Sequence, residues 1–424
     1  MTPGREMHDF VADLFPLCRS ITGNGVRETL RRVAKHILLD VREVATGTQA
    51  FDWTVPREWN IRSARITRPD GRTVVDFEAS NLHVVSYSVP VHARLTRAEL
   101  EPHLHSAPEH PDWVPYRTSY YSEDWGFCLS QRQRDALDDG EYDVFIDAEL
   151  TDGHLTYGEC LIPGETNDEV LISCHVCHPS LANDNLSGIA VATFLAEHLQ
   201  TTVNRYSYRF LFIPGTIGSI AWLAANQAEV HRIKHGLVLA CIGSTAPFTY
   251  KRSRRGDAPV DRAVTHVLTH WPGLHDVVGF SPWGYDERQF CSPGFDLPVG
   301  GLTRAPQGGF PEYHTSADDL DLVRPERLAE SLALLRTIVE VLERDNSFEN
   351  CNPMCEPRLG ARGLYPSVGG QDASLDQLAL LWVLNLSDGR HTLLDIAERA
   401  QLPFATIRDA ADALQRVKLL RACS

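Results

Sequence analysis

Two imidazoles and a carboxylate, His175, His178 and Asp184, stand close together in Ser173-Cys174-His175-Val176-Cys177-His178-Pro179-Ser180-Leu181-Ala182-Asn183-Asp184. Neutral imidazole and ionised carboxylate are the usual ligands of zinc and related divalent ions. Catalytic sites of that kind commonly take three ligands from the protein and leave one position open. A second group lies far downstream in Phe310-Pro311-Glu312-Tyr313-His314-Thr315, where His314 is the candidate that completes the sphere. Taken singly, each residue has a plainer reading. A lone histidine at a strand end is more often a hydrogen-bonded core or surface residue, and Asp184 between two asparagines could cap the helix that opens near Ser187.

Hydrolysis at such a site needs a water activated by the metal and a carboxylate to take its proton. Glu312, just before His314, and Glu287 in Tyr285-Asp286-Glu287-Arg288 are the candidate bases. The run Tyr250-Lys251-Arg252-Ser253-Arg254-Arg255 offers Arg252 and Arg254 to clamp a substrate carboxylate or phosphate, with Tyr313 as a further substrate contact. A solvated turn explains the same run equally well. Cys174, Cys177, Cys351 and Cys355 are spaced too unevenly to favour a thiolate zinc site.

To deliver His175, the apolar run 170–174 must be a strand ending at the histidines, and the apolar-periodic 188–199 the helix that follows. Open α/β sheets place their sites at this junction. The same grammar repeats in strand 208–213 with helix 217–226 and in strand 236–241, and helices 260–270 and 325–344 follow. The pattern predicts an α/β protein whose mostly parallel sheet is covered on both faces, a three-layer α/β/α core. Helix patterns at 8–18 and 26–39 are assigned to that core. Between them and the parallel strands, residues 48–164 are rich in Trp and Tyr and alternate apolar with polar at 60–66, 73–77 and 142–148. Asp-Gly pairs at 70–71, 139–140 and 152–153 supply the turns of an inserted antiparallel β domain. The core is expected at 1–47 and 165–350, a linker at 351–365, and a winged-helix-like domain at 366–424 with helices at 375–386, 393–400 and 404–417.

A chain of 424 residues is too long for one ordinary core. Its net charge of -16 disfavours a broad surface for nucleic acid or anionic membrane. The terminal module carries six Lys or Arg against seven Asp or Glu, which argues against reading DNA. No apolar run approaches the roughly 18 residues of a membrane span, and no signal-like block opens the chain. A cytoplasmic protein with reduced thiols is expected, acting on a small-molecule or peptide-like substrate; a homo-oligomer is compatible with this.

Residues 170–188 resemble the zinc-dependent aminopeptidases with a phosphorylase-like α/β/α core, in which a strand ends in His-x-Asp and a Gly-Ala-Asp-Asp-Asn-x-Ser-Gly loop supplies a bridging aspartate. Tyr313-His314-Thr315, with Asp318 or Asp319, looks like that family's final histidine ligand and its flank. A bacterial group of aminopeptidase-like proteins with an aromatic-rich β insertion and a C-terminal winged helix is more similar still, through residues 177–188, 250–255 and 311–316. The resemblance covers nearly the whole chain and implies the fold. It also marks departures. The family's Gly-Glu-Glu stretch reads Phe212-Ile213-Pro214-Gly215-Thr216-Ile217-Gly218 here, and the strand that should deliver another aspartate reads Ala240-Cys241-Ile242-Gly243-Ser244-Thr245. Cys177 stands in the aspartate's place in His-x-Asp.

The resemblance therefore implies that two of the ligands and the usual base are missing. Two cations repel each other, and fewer carboxylates offset that repulsion, so one zinc ion is favoured over two. It would be held by one upstream histidine, Asp184 and His314. Register with His-x-Asp selects His175, whereas the Cys-His-Pro motif favours His178, and both are retained. The leading expectation is a metal-dependent hydrolase cleaving an amide or peptide-like bond. The alternatives are a repurposed binding protein, with Gly215 and Ser244 where acids would stand, and a regulator using its winged helix.

Overall fold

The computed structural model describes residues 2–306, 308–364 and 376–423, in two compact units. The larger comprises residues 1–256 and 276–332. Its sheet contains β1 (Asp40–Ala45), β2 (His154–Ile162), β3 (Glu169–His175), β4 (Ser207–Ile213), β5 (Ile233–Leu239), β6 (Phe248–Lys251), β7 (His275–Val278) and β8 (Val299–Thr303), in the order β1-β2-β4-β3-β5-β8-β6-β7. The pairs β4/β3, β3/β5 and β5/β8 are parallel, while β1/β2, β2/β4 and β8/β6 are antiparallel. Every residue of β3 is buried, which is why its sequence is an apolar run rather than an alternation. The helix Gly188–Leu199 that follows is almost wholly buried too, and its glycine, alanine and β-branched residues allow close approach to the sheet.

Residues 48–164 divide between two sheets. Thr73–Asp76, Glu58–Thr67, Glu141–Thr151 and Val91–Thr96 form, in that order, a four-stranded antiparallel sheet. Along Glu141–Thr151 burial alternates, with Tyr142, Val144, Ile146 and Ala148 facing the core, the period-two signature that the sequence displays. The last strand of the tract, β2, instead enters the large sheet between β1 and β4. It is buried over most of its length because it is covered on both faces.

Both N-terminal helices are displaced from their sequence expectation. They span Pro3–Leu14 and Asn24–Val33. Proline fits the first turn of a helix, so Pro3 permits an early start, while Pro16 disfavours helical continuation through Phe15.

The smaller unit comprises residues 257–275 and 333–424. It includes the helix Pro259–His270 and a winged helix: Gln377–Leu386, Leu393–Ala400 and Phe404–Arg416, with a three-stranded sheet of Asp388–Thr392, Ser347–Asn350 and Leu420–Ala422. Its helix starts are chemically explicit. Asp376 accepts the N–H groups of Leu378 and Ala379, and Thr392 with Asp395 forms a capping box. The expected linker and the expected helix start at Leu375 lie partly outside the described residues. No described helix is long and apolar enough to cross a membrane.

Candidate metal centre

β3 ends at His175, and the chain then turns through Cys177 and His178 before Ala182–Ser187 leads into the buried helix. That turn is held from several sides. Arg19, 1% exposed, donates through Nε to the His178 carbonyl at 2.7 Å and through its guanidinium to the Leu14 carbonyl at 2.8 Å. Asp318 accepts the backbone N–H groups of Asn183 at 2.5 Å and Asp184 at 2.9 Å. The two asparagines tie the segment to the chain leaving β5: Asn185 donates to the Leu239 carbonyl at 3.0 Å and accepts from the Cys241 N–H at 3.2 Å, and Asn183 accepts from the Gly243 N–H at 2.9 Å. These contacts leave Asp184 facing inward rather than capping the helix.

The Asp184 carboxylate is fully buried and meets three imidazoles. Its oxygens lie 2.7 Å from His175 Nε2, 3.1 Å from His314 Nε2 and 3.6 Å from His178 Nδ1. The edge of a tetrahedron with zinc-length bonds is about 3.4 Å. His178 Nδ1 is buried and has no hydrogen-bond partner, a costly arrangement unless something else engages it. Among the described residues, His175, His178 and Asp184 are the group whose ligand atoms converge on one point, all within 4.8 Å of one another. The residues therefore fit a divalent ion.

Electrostatics puts His178 and Asp184 in the ligand form. Burial pushes His178 down to about 3 against the attraction of Asp184, so the imidazole is neutral. Burial pushes the Asp184 carboxyl up, but the surrounding imidazoles outweigh it, His175 and His314 through hydrogen bonds, and hold the group well below its usual range. Metal ligation requires that same pair of states, neutral imidazole and ionised carboxylate. Aromatic rings fix the imidazoles: Tyr285 stacks on His175 at 5.2 Å, Tyr313 stacks on His314 at 4.0 Å, and Tyr116 sits edge-on to both His178 and His314. His314 has a φ of 56°, an unusual backbone conformation for a residue with a side chain.

These groups open into a cavity of about 460 Å³. Trp53, Tyr120 and Tyr121 from the β tract form part of its wall, with Gly215, Thr216, Tyr285, Asp286, Arg288 and Gln289 from the core. A Cβ at Gly215 would lie 3.3 Å from Cys177 Sγ and 3.5 Å from His175 Cβ, so a side chain there would compete for this space. The Gly215 N–H donates to Cys177 Sγ at 3.2 Å. Burial pushes the Cys177 thiol up to about 12, so it stays protonated beside His175.

The structure brings His175, His178, Asp184, His314 and Tyr313 together. The other candidates lie elsewhere. Glu287 is 1% exposed, ion-paired with Lys251, and lines a separate cavity of about 120 Å³. Glu312 is half-buried and does not line the large cavity. Arg252 donates to the Gly256 carbonyl at 2.7 Å within its own loop, and Arg254 to the distant Asp296 at 2.7 Å, and neither lines the cavity. Cys351 and Cys355 are exposed in the smaller unit, and all ten cysteines are free thiols. Sequence reading passed over Asp286, Tyr285 and Arg19 as site residues, and singled out Asp318 only with Asp319 as a flank of His314. Nothing local marks the first three, although Asp286 directly precedes Glu287.

A family model described as a domain of unknown function, DUF4910, matches residues 8–345, and a winged helix-turn-helix model matches residues 346–422. A Clostridium acetobutylicum protein, provisionally described as a polysaccharide biosynthesis protein with an aminopeptidase-like domain, is 50% identical over 99% of this chain and 96% of its own. A crystal structure provisionally described as a peptidase from the same organism superposes with a TM-score of 0.95 at 49% identity, covering 99% of this chain and 96% of that one. A zinc aminopeptidase from Bacillus subtilis, BSAP, superposes with a TM-score of 0.58 at 12% identity, covering 80% of this chain and 94% of that one. The fold is that of the zinc aminopeptidases with a winged helix added at the C-terminal end.

Proposed function

The chain belongs to the DUF4910 family, and from that premise and the geometry of the centre we propose that it is a hydrolase with one zinc ion, cleaving an amide or peptide-like bond in a small substrate. The observation that carries this reading is the Asp184 carboxylate met by three imidazoles, with a buried and unpartnered His178 Nδ1 among them. Asp184, His314 and one of His175 and His178 would hold the ion, leaving a position open. Zinc bound there would supply Lewis-acid polarisation of an acyl oxygen and activation of a water. Asp184 is the one carboxylate among these candidate ligands, which suits one divalent cation better than two. The aromatic wall of Trp53, Tyr121 and Tyr313 would bury the rest of the substrate, and desolvation strengthens the electrostatics at the reacting bond.

The description of the Clostridium relative directs the substrate search to N-acylated amino sugars as well as to aminoacyl amides. Metal analysis of the purified chain should find one zinc per chain, lost in His314→Ala. The zinc-loaded chain should hydrolyse a member of a panel of aminoacyl p-nitroanilides and N-acetylated hexosamines. A folded chain that takes up no zinc would refute the proposal. The absence of a side chain at Gly215 favours a second reading, a binding protein on the same scaffold; ligand binding by the zinc-loaded chain without turnover of either class would select it.

A further inference from the structure

Resting on the hydrolase reading above, we propose that Asp286 is the catalytic carboxylate, delivered to the cavity by the loop before Glu287–Phe290 into the region beside Gly215. Among the described residues that line the cavity, Asp286 is the sole carboxylate. It is 3% exposed, and its Oδ1 accepts the Thr216 N–H at 3.1 Å, immediately beyond Gly215 and at the start of the helix Ile217–Ala225. Glycine at 215 leaves room on that wall, because a side chain there would meet Cys177 and His175. The carboxylate is thereby anchored next to the gap from a second, distant part of the chain.

The competing acids are committed elsewhere. Asp184 is engaged by the imidazoles, Asp318 by the N–H groups of Asn183 and Asp184, and Glu287 by Lys251. Burial pushes the Asp286 carboxyl up from its ordinary value, while His175 and the Thr216 N–H pull it back. A base whose affinity for protons is raised toward the working pH is better matched to proton transfer.

In the step this assigns, the oxygen of a water bonds to the acyl carbon of the substrate while Asp286 accepts one of that water's protons. Asp286 then gives the proton to the leaving nitrogen as the C–N bond breaks. The products are a carboxylic acid and an amine, and the carboxylate is regenerated.

The test uses the full chain loaded with cobalt as the metal probe, in wild-type, Asp286→Asn and Asp286→Ala forms. Its readouts are cobalt stoichiometry, acetohydroxamate affinity from the cobalt absorption bands, and turnover of leucine p-nitroanilide and N-acetylglucosamine. Acetohydroxamate chelates the metal as its anion, and a nearby carboxylate that takes the N–OH proton and hydrogen-bonds to the bound ligand tightens the complex, so it reports on Asp286 without turnover. Asp286→Asn should keep the wild-type cobalt stoichiometry yet bind acetohydroxamate about tenfold more weakly, the size of one hydrogen bond to a charged group. Turnover, where the wild type shows it, should fall about 100-fold or more, and formate should restore part of it in Asp286→Ala. Unchanged acetohydroxamate affinity in Asp286→Asn overturns the assignment while leaving the metal centre standing. A wild-type chain that takes up no cobalt overturns the hydrolase reading and the assignment with it.

Discussion

The loop from His175 to Gly188 and the winged helix are both well packed, yet they are built on opposite terms. The loop buries Asn183, Asp184, Asn185 and Ser187 at 3% exposure or less and holds them by side-chain contacts to distant backbone. The winged helix buries apolar faces of amphipathic helices and keeps its polar groups at caps and surface pairs, such as Thr392 with Asp395 and Arg262 with Asp395 and Glu398. Stability alone asks only for the second arrangement. Burying a carboxylate among imidazoles carries a desolvation cost that a metal-binding function would explain.

Four substitutions break or sharpen that contrast, in descending order of effect. Asp184→Asn removes the charge on which the imidazoles converge. Zinc affinity should fall by more than the 10–100-fold typical of an outer-shell contact, measured by competition with a chromophoric chelator. Arg19→Met leaves the buried carbonyls of Leu14 and His178 without their donor and should cost about 3 kcal/mol in urea unfolding, with weaker zinc binding because the turn bearing His178 loosens.

Glu58→Gln tests a third setting, the ion pair of Arg27 with Glu58 at the start of the strand Glu58–Thr67. The hydrogen bond from Arg27 comes first among the causes that hold the Glu58 carboxyl down at about 2, from an ordinary 4.5. A depressed carboxyl contributes stability in full above pH 4.5 and loses it as pH falls toward 2. After solvent screening that contribution is about 1 kcal/mol, so the variant's acid-unfolding curve should be flatter across this window. Thr392→Ala removes one half of a capping box and should cost about 1 kcal/mol, read from hydrogen exchange in Leu393–Ala400. Zinc content should not change. If Thr392→Ala altered zinc binding as Asp184→Asn does, the contrast between the two regions would be lost.

Much of the fold is legible in the sequence because local patterns report burial. The apolar run of β3 marks a strand covered on both faces, the alternation in Glu141–Thr151 marks a sheet with one face on a core, and Thr392 with Asp395 marks a helix start. β2 is the exception. Its sequence belongs to the aromatic-rich tract, but its partners are β1 and β4 of the other sheet, and pairing over such distances leaves no local trace.

At the centre, residue types and short spacings were enough to single out His175, His178 and Asp184 and to ask for a distant histidine. Which acids share their cavity is a different kind of fact. Asp286 and Glu287 are neighbours of similar chemistry, yet the first lines the cavity that the histidines line and the second is paired with Lys251 beside another cavity. Arg19 and Asp318 hold the turn from positions far apart in the chain. The sequence by itself determined the strand-to-helix junction and its ligand-type side chains, since periodicity and composition are local properties of a chain. Only the tertiary structure decided which carboxylate enters the cavity and what holds the ligands in place, because those outcomes depend on how loops from distant segments pack, and that packing is a property of the whole fold.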